Sequence, residues 1–310
     1  MKVCFIGNCG HSFQAYKVLS KRSDVEFAGF AKGSAHEKNI ASYAEGWPIF
    51  DSYTEMLDQI KPDLAVISPV FALTAQPILE CAKRNINVFA EKPVAATLNE
   101  LDQVEKAVKE AGIRFCAMHY LRYNPAFYLG AQLVKQGEIG EVKMLTGQKS
   151  YRFGTRPDWY WDREVYGGTI PWIGIHAIDW IAHFSGKKFL SVTAQSVGES
   201  PEMAALCQFE MEDGVIAAIN LDYYRPALAP THGDDRVRCA GTKGVLEVRD
   251  GKVLLMNDKG NQVFEPTECP ELLEEFLAGK DPIPMDEIFH LTRAAIAARE
   301  AADSGEKIKI

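Results

Sequence analysis

A chain of 310 residues, 47% hydrophobic and 25% charged, has the composition of an ordinary globular protein and enough length for two domains. Its net charge of -8 argues against nucleic acid or an anionic membrane surface as a partner. No apolar stretch approaches the roughly 20 residues that span a bilayer, and the start lacks the charged and apolar regions of a signal peptide. Seven scattered cysteines without a C-x-x-C pair suit reduced thiols, so a cytoplasmic location is expected.

In chain order, short apolar runs alternate with helical patterns over the first part. Strands are predicted at residues 2–6, 25–31, 64–68, 87–90 and 113–118, with helices at 12–21, 37–44, 75–84 and 98–111. In the last helix Leu98, Leu101, Val104 and Val108 keep to one face, while Glu105 precedes Lys109 by one turn on another. Strand–helix alternation at this spacing predicts an α/β fold with a parallel, doubly wound sheet.

Gly7-Asn8-Cys9-Gly10-His11-Ser12 joins the first strand to the first helix. Glycines at such a turn let backbone approach the pyrophosphate of a dinucleotide at the helix N-terminus. The full G-x-G-x-x-G is absent, because Cys9 and Ser12 fill two of its places; position ahead of a βαβ unit carries the reading. A thiol at a helix N-terminus tends to ionise more readily than usual, but the favoured reading of Cys9 is a small residue tolerated in a tight turn. After the second strand, where an acid would hold the ribose of NAD, the chain has Lys32 and Ser34, and no acid until Glu37. A cation beside a hydroxyl suits a 2′-phosphate, so NADP is favoured over NAD.

Glu91-Lys92-Pro93 follows the apolar run Asn87-Val88-Phe89-Ala90. Pro93 stops the strand, which delivers the Lys92 ammonium to the carboxyl edge of the sheet, where open α/β proteins keep their ligands.

The pattern then changes. A helix at 125–135 and the turn Gly137-Glu138-Ile139-Gly140 precede strands at 142–151, 191–197, 205–209, 215–221, 237–240, 245–248 and 252–256. Asp213-Gly214 and Asp250-Gly251 are hairpin signals. A final helix at 286–304 stops at Gly305. Residues 1–120 are therefore expected to form a dinucleotide-binding Rossmann domain. Residues 121–310 are expected to form an α+β domain with a large, mostly antiparallel sheet.

Taken with Tyr120-Leu121-Arg122-Tyr123-Asn124-Pro125, Gly167-Gly168, Gly174-Ile175-His176-Ala177-Ile178-Asp179 and Gly241-Thr242-Lys243-Gly244, these motifs resemble the Gfo/Idh/MocA family of NAD(P)-dependent oxidoreductases nearly end to end. The resemblance implies hydride chemistry on sugars, polyols or keto-sugars, and an open-faced sheet that assembles a homodimer or homotetramer. It implies cofactor contacts from Gly7 to Ser12 and from Lys32, Ser34, Ser68, Glu91 and Lys92. By the same pattern Lys92 holds the reacting oxygen, His176 exchanges its proton, and Asp179, one turn on, orients His176. Tyr120, Arg122, Asp158, Trp161, Arg163 and Trp172 are substrate-binding candidates. The aromatic and charged run around Trp159-Tyr160-Trp161 suits a sugar ring, or equally an interface. His176, Asp179 and His183 share a helical face, but no further ligands stand at telling spacings and no metal is expected.

Two positions depart from the family. Trp172 stands where an acid is usual, four residues before His176, and Gln76 stands near a usual histidine. These departures keep two other readings open: a nicotinamide-retaining glycosidase or lyase, and a non-catalytic NAD(P)-dependent sensor.

Overall fold

The computed structural model describes residues 1–310, which form two compact units. Met1–Met118, Asp162–Gly167 and Leu272–Thr292 make the first; His119–Trp161, Gly168–Glu271 and Arg293–Ile310 make the second.

In the first unit, strands β1 (Lys2–Ile6), β2 (Glu26–Ala31), β3 (Ile49–Phe50), β4 (Leu64–Ile67), β5 (Asn87–Ala90) and β6 (Phe115–Ala117) pair in parallel in the order β3-β2-β1-β4-β5-β6. This is the doubly wound order whose direction reverses beside β1. Val3 to Ile6 and Leu64 to Ile67 are buried without alternation, as strands covered on both faces must be. Helices α1 (Ser12–Leu19), α2 (Tyr53–Ile60), α3 (Ala75–Ala82) and α4 (Leu98–Ala111) connect them. Thr97 and Glu100 close a capping box on α4, which buries Leu101, Val104 and Val108 and ends at Gly112 in the left-handed region.

The helix expected at 37–44 does not form; only a 3-10 turn at Ser42–Ala44 does. Glu37 explains the difference, because its carboxyl turns back to accept the Gly33 N–H at 3.1 Å and so competes with helical pairing. Helix α2 was not anticipated, although Ser52 caps it by accepting from Glu55 N–H, a signature present in the sequence.

The second unit contains α5 (Pro125–Lys135), with Asn124 as its cap, then β7 (Val142–Tyr151). The short helix α6 (Arg163–Tyr166) groups with the first unit. A π-helical stretch, Ile170–Gly174, runs directly into α7 (Ile175–Ser185). Strands β8 (Phe189–Val197), β9 (Ala204–Met211), β10 (Ile216–Asp222), β11 (Gly233–Gly241), β12 (Gly244–Arg249), β13 (Lys252–Asn257), β14 (Gly260–Phe264) and β15 (Ile308–Lys309) join β7 in a nine-stranded sheet. Its order is β14-β13-β12-β11-β7-β10-β9-β8-β15, antiparallel except for the pair β7–β10. Asp213-Gly214 and Asp250-Gly251 make the two hairpin turns, all four residues at positive φ.

Helix α7 is apolar almost all round and lies buried on one face of this sheet. Gly147 on β7 admits it: a Cβ there would stand 3.3 Å from that of Ala177. The last helices, α8 (Leu272–Leu277) and α9 (Met285–Ser304), complete the chain. No helix is long and apolar enough to cross a membrane.

Candidate active site

The first unit offers a glycine turn set against the end of β5. Gly7 and Gly10 have φ of +80° and +62°, which L side chains rarely adopt. A Cβ on Gly7 would collide with the Ser68 carbonyl and Pro69, and one on Gly10 with the Glu91 carboxylate. The turn is pinned to the sheet: Gly7 N–H donates to Ala31 at 2.8 Å and Cys9 N–H to Ser68 at 2.8 Å, while the Ser68 hydroxyl donates to the Cys9 carbonyl. Asn8 reaches the Asn39 carbonyl at 3.3 Å, and Ser12 is 2% exposed at the start of α1. A cradle that only glycine can line, opening on a helix N-terminus, fits the pyrophosphate of a dinucleotide.

Glu91 is fully buried and ties this turn to Lys92. Its Oε2 accepts from the His11 N–H at 2.6 Å, and its Oε1 from the Lys92 N–H at 3.1 Å. The His11 ring Nδ1 lies 2.9 Å from Oε1, and the Lys92 ammonium lies 3.8 Å from the same oxygen. Burial alone would raise the Glu91 carboxyl, but the charges and hydrogen bonds of His11 and Lys92 outweigh it and hold the group below its ordinary value. Lys92 itself is 1% exposed, so the solvated strand-end lysine is excluded here.

Cys9 is not the activated thiol that its place near a helix N-terminus leaves open. Burial, then the charges of Glu37 and Glu91, push the thiol up rather than down, because desolvation exceeds what a helix N-terminus supplies. Beyond β2, the Lys32 ammonium donates to the Lys38 carbonyl at 3.2 Å. Ser34 and the Gly33 N–H both point at the Glu37 carboxyl, at 3.5 and 3.1 Å. Glu37 is 4% exposed, and burial lifts it to about 7.

In the second unit α7 carries His176 and Asp179, both buried, at 2% and 1% exposure. Asp179 carries a buried ion pair with Arg122. Its Oδ1 accepts from Arg122 Nε at 3.1 Å and Nη2 at 2.5 Å, with His119 Nδ1 at 3.6 Å. Burial pushes this carboxyl up against the opposing pull of the guanidinium. Arg122, 3% exposed, is the ion-pair partner of Asp179.

Trp172 lies in the π-helical stretch and is 8% exposed; Tyr120 is half-buried in the 3-10 turn Tyr120–Tyr123. Asp158 is exposed and Trp161 is 54% exposed, with Phe153 against the Trp161 ring edge-on at 5.8 Å. Arg163 belongs to the other unit.

Family models match over most of this architecture. The oxidoreductase family with an NAD-binding Rossmann fold covers residues 1–119, and the GFO/IDH/MocA C-terminal domain covers 130–247. The chain belongs to the GFO/IDH/MocA oxidoreductase family. A solved family protein from Thermotoga maritima, described as an oxidoreductase, superposes over 100% of both chains with a TM-score of 0.94 and 38% identity. The 2,7-anhydro-N-acetylneuraminate hydratase of Escherichia coli is 28% identical over 40% of this chain and 34% of its own. The scyllo-inositol 2-dehydrogenase (NADP+) of Bacillus subtilis is 22% identical over 60% of this chain and 56% of its own. The chain thus spans less than two thirds of these curated relatives.

Within this GFO/IDH/MocA framework, three groups escaped the sequence reading. Glu37 was noticed only as a late acid, and no local signal announces that it folds back. His11 was named only as a cofactor contact, with no role for its ring, yet that ring engages Glu91 across 80 residues of chain. Lys149, an inward-facing residue of β7, is fully buried, pairs with Asp235 at 2.6 Å and sits over the rings of Tyr151 and Trp180. Burial brings Lys149 down to about 8.

Proposed function

We propose that this GFO/IDH/MocA protein is a dehydrogenase that moves a hydride between a nicotinamide dinucleotide and a secondary alcohol, or its ketone, on a sugar- or polyol-like substrate. The observation that carries the reading is the buried Lys92 ammonium, two residues past β5 at the carboxyl edge of the sheet and 3.8 Å from its counter-ion Glu91. A dinucleotide held on the glycine turn supplies or accepts the hydride. Lys92 donates a hydrogen bond to the reacting oxygen and stabilises the charge that develops on it. His176 takes or returns the hydroxyl proton. The glycine turn holds the pyrophosphate through backbone N–H groups, and Glu91 is left to fix Lys92.

Substrate class follows from the relatives, among them a scyllo-inositol dehydrogenase. Trp172 in place of an acid favours a ligand face that stacks on an indole, as sugar rings do. The same residue, with a hydratase among the relatives, supports the second reading, a lyase that keeps its nicotinamide.

For the cofactor, we infer NAD. The NADP preference drawn from Lys32 and Ser34 gives way because Glu37 already occupies the Gly33 N–H and the Ser34 hydroxyl, and an acid there repels a 2′-phosphate. We assign the protein to a homo-oligomer in a reducing, cytoplasmic setting, on the open sheet face and on seven free cysteines.

The test is turnover with NAD and NADP against a panel of polyols, aldoses and keto-sugars, followed by absorbance of the reduced cofactor. Steady reduction is expected, with NAD preferred, and Lys92→Ala is expected to lose at least ~100-fold in turnover while still binding NADH. Product without net reduction selects the lyase. Unchanged turnover in Lys92→Ala refutes the site.

A further inference from the structure

Glu91 serves two cationic side chains at once. Its carboxylate is 0% exposed, Lys92 is 1% exposed, and the His11 side chain, at 17%, is the member of the trio that reaches solvent. His11 belongs to the glycine turn and stands at the start of α1. Glu91 in turn supplies the cap that α1 lacks locally, since no side chain of the helix's own start caps it. Gly10 between them is held open for this contact, because any Cβ would strike the carboxylate.

We propose that His11 is a positioning residue that, through Glu91, fixes the ammonium of Lys92. The proposal rests on the reading of Lys92 as the catalytic lysine for its importance, though not for its geometry. A single buried carboxylate is held from both sides: the His11 N–H and ring meet its two oxygens at 2.6 and 2.9 Å, and the oxygen that the ring holds faces the Lys92 ammonium at 3.8 Å. Cys9, Glu37 and Tyr43 also lie around this turn. Burial raises the thiol of Cys9 and takes the phenol of Tyr43 to about 12, so both stay neutral at physiological pH. Glu37 titrates at about 7.

The positioning can be read without knowing the substrate. The side-chain signal of Lys92, assigned by its loss in Lys92→Met, is followed by NMR in the wild type, in His11→Ala and in His11→Asn. It is expected to shift in His11→Ala and to return towards the wild-type position in His11→Asn. An unchanged Lys92 signal in His11→Ala overturns the proposal, whatever Lys92 does in turnover.

With the substrate that the panel yields, His11→Ala is expected to lose ~10- to 100-fold in kcat at saturating cofactor. His11→Asn, which keeps a donor towards Glu91, is expected to recover most of it. If His11→Ala instead weakens NADH binding in proportion and leaves kcat intact, His11 is a cofactor contact and the proposal fails. Loss of the Lys92 reading would show separately, as full turnover in Lys92→Ala.

Discussion

At neutral pH the Glu37 carboxyl is divided between its charged and neutral forms, because burial lifts it from 4.5 to about 7. An acid whose value is raised by folding binds its proton more tightly in the native state. As pH rises through 4.5 the unfolded chain gives up that proton first, so stability falls from there to about 7 and then levels off. The full penalty is at most about 3.5 kcal/mol, from roughly 1.4 kcal/mol for each pH unit between 4.5 and about 7. Glu37→Gln removes it: the variant should melt higher than the wild type at pH 8 and show a much smaller gain at pH 5, by thermal denaturation at both. A constant difference across that range would sink the assignment. The same residue links stability to cofactor choice, since the neutral variant should also accept NADP more readily.

At the scale of elements, α7 is tied to the 3-10 turn at Tyr120–Tyr123 by the buried pair Asp179–Arg122. Asp179→Asn strands a guanidinium in the interior and is expected to cost about 3–5 kcal/mol in urea unfolding. The double change Asp179→Leu with Arg122→Met should recover much of that loss, because it removes both desolvated charges. A residue that only oriented His176 would leave unfolding untouched, so the measurement separates the two roles. Elements with a strong local pattern were legible: β1, β5, α4, α5 and β7 have the bounds expected of them. The helix expected at 37–44 failed because one side chain outbid its backbone pairing, and α2 was missed although Ser52 and Glu55 announce its start.

The whole molecule presents a nine-stranded sheet with α7 on one face and an open opposite face. Leu206 and Ile216 are 60% and 53% exposed on neighbouring strands β9 and β10, with Met144 at 38% on β7. Apolar side chains on a surface like this suit an interface, and the proposed homo-oligomer would use it. Ile216→Lys with Leu206→Glu is expected to lower the mass seen in sedimentation velocity without unfolding the protein. An unchanged mass would leave that face without the role.

The order of strands and helices, the glycine turn, and Lys92 at the end of a buried strand were written in the sequence. Each depends on neighbours within a few residues: a run of apolar residues, a proline, a glycine that no side chain could replace. What pairs with what was decided only by the tertiary structure. Glu91 meets His11 across 80 residues, Asp179 meets Arg122 across 57, and Lys149 meets Asp235 across 86. A buried charge takes its partner from whatever the fold brings within reach, and no local spacing encodes that choice.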